Sequence, residues 1–62
     1  MKYIVHDNLA NTYIKGYLKS VNKCTYTASR KRAMRFSNKA QAKLMILNLN
    51  IVWQHYMEIE AV

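Results

Sequence analysis

The sequence predicts a small α+β domain: an antiparallel sheet of order β-β-β-α-β with one helix packed on one face. Three observations carry this. The first thirty residues break into short β-rich runs separated by turn signals, an alanine- and leucine-rich stretch of helical period follows, and an alternating segment closes the chain.

The run 2–7, KYIVHD, is rich in β-branched and aromatic residues, and DNLAN behind it is a turn signal. The run 12–20, TYIKGYLKS, alternates: Ile14, Gly16 and Leu18 fall on one side, Tyr13, Lys15, Tyr17 and Lys19 on the other. The run 24–29, CTYTAS, is a third strand, with Cys24, Tyr26 and Ala28 on one face. Three short strands in succession form an antiparallel meander.

Arg30 to Arg35 is too polar to bury and reads as a loop or an irregular edge strand, with Phe36 as its apolar anchor. Ser37 is an expected N-cap. Beyond it Phe36, Ala40, Leu44, Leu47 and Ile51 recur at steps of three or four and make the stripe expected to face the sheet. Residues 51–62, IVWQHYMEIEAV, admit two readings. As a strand, Trp53, His55, Met57 and Ile59 alternate with Gln54, Tyr56, Glu58 and Glu60. As a continued helix, Ala42, Met45, Leu49, Trp53 and Tyr56 form a second apolar stripe, which suits a homodimer. The strand is favoured: Asn48 and Asn50 are indifferent helix formers, and the Ile-Val-Trp triplet prefers extended backbone.

At 62 residues the chain is expected to be a single domain, 1–62, with a modest core. An apolar content of 52% argues for a folded unit rather than a basic tail. Cys24 is unpaired, which agrees with a reducing cytoplasm. The N-terminus turns polar too soon for a signal peptide, and the most apolar run is too short to span a bilayer, so no membrane contact is expected.

Catalytic chemistry finds little to work with. Asp7, Glu58 and Glu60 are the only acids, and His6 and His55 lie at opposite ends of the chain. Glu58 and Glu60 would share a strand face, paired across the sheet with Lys15 or Lys19. No metal-ligand spacing and no glycine-rich phosphate loop occur. The expectation is therefore no enzyme, no catalytic residue, no metal and no cofactor.

What the sequence does hold is positive charge. The net charge is +7, and six of the ten cations, Arg30, Lys31, Arg32, Arg35, Lys39 and Lys43, lie within residues 27–43 with no acid among them. Such a cluster repels itself unless it meets an anion, and arginine suits planar phosphate or carboxylate groups. These six are the expected partner-binding residues, and the partner is DNA or RNA, a nucleoprotein, or an anionic groove on a protein that itself binds nucleic acid. Tyr13, Lys15, Tyr17 and Lys19 are the expected alternative: a sheet face that stacks bases and neutralises phosphates.

The stretch AMRFSNKAQAKLMI, residues 33–46, resembles a pattern of small phage and prophage proteins, in which Ala-x-Arg-Phe-Ser precedes an alanine-containing helix. Strands such as KYIVHD and TYIKGYLKS before it, and WQHYMEIEAV after it, extend the likeness over most of the chain in outline. The resemblance implies a phage-borne inhibitor of host machinery, of the anti-CRISPR kind, acting in the host cytoplasm. A second likeness, at Phe36, Ser37 and Ala40, is to the arm-binding domain of tyrosine recombinases, which reads DNA with its sheet. That likeness implies the leading role for Tyr13, Lys15, Tyr17 and Lys19. The closing segment WQHYMEIEAV has no place in that fold.

Overall fold

The structure, a computed structural model, describes residues 1–18, 23–49 and 51–62. Four strands, β1 (Tyr3–Asp7), β2 (Thr12–Leu18), β3 (Lys23–Thr27) and β4 (Met57–Ala61), form one antiparallel sheet in the order β3-β2-β1-β4. Helices α1 (Lys39–Leu47) and α2 (Ile51–Gln54) stand between β3 and β4 in the chain. The predicted α+β class is the one observed, with three strands before the helix and one after it, and α2 is added between α1 and β4. β4 joins the sheet beside β1, so β1 is central, and its register with β4 runs from Tyr3 opposite Ala61 to Asp7 opposite Met57.

The turn from β1 to β2 is built by Asp7. It is 3% exposed, and its Oδ1 accepts from the amides of Leu9 (2.9 Å) and Ala10 (3.3 Å). Asn11 closes the turn at φ 55°, a left-handed conformation that asparagine tolerates better than most residues.

β1 and β2 then pair over two residues, His6 with Tyr13 and Asp7 with Thr12, before they part. The segment behind the basic run fills the opening. Met34 N donates to Ile14 O (2.9 Å), and Phe36 exchanges two backbone hydrogen bonds with Tyr3 (2.7 and 3.0 Å). The basic segment is thus no free edge strand: Arg30–Arg32 is a single 3-10 turn, and the residues after it are pinned to both inner strands. Orphaned strand amides find partners this way where the strands have separated.

The core lies between the sheet and α1. Val5, Ile14, Phe36, Ala42, Met45, Ile46 and Met57 form one buried cluster, and Tyr3, Tyr17, Cys24, Met34, Leu49 and Ile59 pack against it. This reverses the expected helix orientation. Ala42, Met45 and Leu49, the stripe assigned to a dimer contact, face the sheet. Ala40, Leu44, Leu47 and Ile51 are exposed, Leu44 by 63%. Both stripes are apolar, so period alone does not choose between them. The choice follows from shape: Ala42, 0% exposed, allows a close approach that flexible Met45 can complete around the strands.

The N-cap of α1 also differs from expectation. It is Asn38, not Ser37: Asn38 Oδ1 accepts from Gln41 N (2.9 Å), and Gln41 Oε1 accepts in return from Ser37 N (3.2 Å). This is a capping box shifted by one residue on its return arm. Asn38→Ala is expected to lower stability by about 1 kcal/mol, read as a urea midpoint shift at unchanged m-value.

The closing segment divides between the two readings. Residues 51–54 are a helical turn, and the strand begins only at Met57. The alternation holds for Met57 and Ile59, which stand opposite Asp7 and Val5, and fails for Trp53 and His55. Tyr56 N bonds to Trp53 O, and Asn8 N to Tyr56 O, so the change of backbone is fixed at the rim of the sheet. Among the described residues no helix is long and apolar enough to cross a membrane.

Candidate partner-binding surface

The six cations of residues 30–43 are all exposed, and three of them share one hollow. Arg30, Lys31 and Arg35 line a shallow hollow of about 360 Å³ together with Val62. The 3-10 turn sets Arg30 beside Lys31, and the backbone bond of Met34 to Ile14 turns the chain so that Arg35 returns toward them. Arg32 lies on the same turn without lining the hollow. Lys39 and Lys43 belong to α1, where Lys39 Nζ sits 6.0 Å from the centre of the Tyr3 ring, a cation–π contact at the outer limit of its range.

Arg30 differs from the others in having partners. Its Nη2 donates to Ala61 O (3.1 Å) and lies 3.6 Å from Glu60 Oε1. Arg30 therefore ties the 3-10 turn to β4, while Lys31 and Arg35 supply the cationic groups that face outward. The expected pairing of Glu58 and Glu60 with Lys15 or Lys19 does not fit the sheet, because the neighbour of β4 is β1 and not β2.

Instead the β1–β4 register sets His6 opposite Glu58, with Glu60 on the same face. Nitrogen and carboxylate atoms of the three residues lie within 4.8 Å of one another. His6 Nδ1 is 3.4 Å from Glu60 Oε2, its Nε2 is 3.0 Å from Asn11 Oδ1, and its ring is tilted against Tyr13 with centroids 4.7 Å apart. His6 and the two glutamates stand at opposite ends of the chain, and only the strand order brings them together. Arg30 gives the cluster one countercharge.

The alternative sheet face is interrupted. A bulge between Ile14 and Gly16 shifts the β2–β3 register, so that Ile14 stands opposite Tyr26 and Tyr17 opposite Cys24. A bulge adds one residue and inverts the alternation beyond it. Tyr17 therefore turns to the core side and packs against the buried cluster, while Tyr13 stays beside His6 on the other face. Lys15 is exposed at the bulge, and Lys19 lies outside the described residues. Gly16 suits this site: a Cβ there would come within 3.1 Å of Thr25 Oγ1.

Cys24 lies partly buried against α1, its Sγ 4.0 Å from Met45 Sδ. Burial pushes its thiol above the ordinary value of 9.0, so less thiolate is present at any pH below that value. Alkylation by iodoacetamide at mildly alkaline pH is expected to run several-fold slower in the folded chain than in denaturant, as mass spectrometry over time would show. The raised value also means that whatever stability the group contributes is held below the unfolded thiol's pKa and lost as pH climbs past it.

The chain matches no protein-family model, no curated protein and no solved structure.

Proposed function

We propose that the chain is a non-catalytic docking protein whose basic hollow engages an anionic surface of a nucleic-acid-binding host protein or nucleoprotein, and so blocks it. The observation that carries this reading is the convergence of Arg30, Lys31 and Arg35 on one hollow that, among the described residues, no acidic side chain lines. Exposed like charges gathered by backbone hydrogen bonds cost free energy until an anion covers them. Arg30 is held by Glu60 and Ala61, so part of the surface is ordered before a partner arrives. Inhibition of the anti-CRISPR kind, the activity implied by the likeness to phage proteins, would operate by this occupation.

Capture from a host lysate, with and without nuclease, tests the proposal. Retention of one host protein after nuclease treatment, with release by salt, is the expected result. Binding to naked DNA or RNA that falls steeply with salt, with no protein retained, would favour the second reading, direct nucleic-acid binding. Tyr13, Lys15 and the cations of the hollow would then make the contact.

A further inference from the structure

At the opposite end of β1 from the basic hollow lies a second cavity of about 270 Å³, lined by Asp7, Ala10, Thr12, Tyr26 and Trp53. Five residues of strand, roughly 13 Å of chain, separate the two ends. Two walls are aromatic, from Tyr26 on β3 and Trp53 on α2, and both side chains are partly open to solvent. Asp7 is nearly sealed by the protein, and among the described residues no cation lines the cavity beside it. Thr12 contributes a buried hydroxyl with no partner among the described residues. Burial raises the pKa of the Tyr26 hydroxyl above its ordinary value, and the nearby Cys24 and Asp7 add to the rise.

A carboxylate so enclosed, in a cavity that two aromatic side chains also line, is complementary to a cation with an apolar stem. The hydrogen bonds of Asp7 narrow the class. Its Oδ1 already accepts from Leu9 N and Ala10 N. No hydrogen bond to its second oxygen is present among the described residues, so one oxygen remains to receive a ligand. A guanidinium or a guanine edge needs both oxygens for its paired contacts, whereas an ammonium is a point charge satisfied by one. The volume falls just below that of drug-sized sites, which suits a short alkyl chain. We propose that this cavity binds a primary alkylammonium group, carried by a small free amine or by a lysine side chain.

Trp53 is the only tryptophan of the chain, so its fluorescence and its indole N–H resonance report on the cavity directly. n-Butylammonium is titrated against the full chain at neutral pH, with sodium chloride and 1-butanol as controls. The expected result is a saturating change in the millimolar range set by so small a ligand, with 1-butanol at least about tenfold weaker. Asp7→Asn keeps an oxygen for the turn amides and removes the charge, and it should weaken butylammonium binding by at least about tenfold. A response that is linear and matched by sodium chloride, or equal binding of 1-butanol, or undiminished binding to Asp7→Asn, overturns the proposal. If Asp7→Asn does not fold, the comparison of butylammonium with butanol on the unaltered chain decides. A parallel titration with N-acetyl-lysine methylamide identifies the source: tighter binding than butylammonium marks a partner's lysine, weaker binding a free amine.

Discussion

Phe36→Ala is expected to leave the chain predominantly unfolded at 25 °C. Phe36 is 6% exposed and belongs to the same buried cluster as Val5, Ile14, Ala42, Met45, Ile46 and Met57. Its backbone is also the bridge to Tyr3. Alanine keeps the bridge and removes the ring, so the loss is one of packing, about 3–5 kcal/mol for a phenylalanine truncated in a core. A domain of this size rests on a single core that rarely supplies more than about 3–5 kcal/mol in all. The two figures are equal, which is why one residue is enough. Far-UV circular dichroism and urea titration would show it, and Phe36→Leu should recover most of the fold. A Phe36→Ala variant that kept its urea midpoint would mean that the ring does not hold the basic segment against the sheet.

Lys31→Glu/Arg35→Glu is expected to weaken capture of the anionic partner by about 100-fold at low salt while the fold survives. Both side chains are exposed, and no ion pair joins either of them to the rest of the described structure, so their reversal costs the fold little. Arg30 is left in place because reversing it would set a third carboxylate beside Glu58 and Glu60 and confuse docking with stability. Lys43→Glu changes the same net charge per site on α1, at a residue that does not line the hollow, and should weaken capture far less. An equal loss in Lys43→Glu would show that net charge, not the hollow, is what the partner reads. For naked nucleic acid the double variant should also flatten the salt dependence by about two units of slope.

The strands were legible because each carries its own local pattern. Tyr3–Asp7, Thr12–Leu18 and Lys23–Thr27 fall inside or within a residue of the runs that the sequence predicts. What was not legible depends on a neighbour. The bulge at Ile14–Gly16 is set by pairing with β3, and one added residue sends Tyr17 to the side predicted for Ile14. The sheet-facing stripe of α1 is chosen by the shape of the surface it meets, and both candidate stripes are apolar. Asn38 and Ser37 are both good caps, and the bond from Gln41 N settles the boundary one residue later. Of the basic surface, residue types and exposure were readable. The gathering of Arg30, Lys31 and Arg35, and the departure of Lys39 and Lys43 onto a helix, required the backbone bonds at Met34 and Phe36.

The strand order has a kinetic side. Val5 meets Ile59 across nearly the whole chain, while Asp7 meets Thr12 across a tight turn. Closing the longer loop costs roughly 2 kcal/mol more in chain entropy, so the hairpins can assemble early and β4 arrives as the last piece. Until it does, Arg30 lacks its tether to Ala61 and the floor of the hollow is missing. A refolding chain should therefore regain its sheet signal before it regains the capacity to hold an anion.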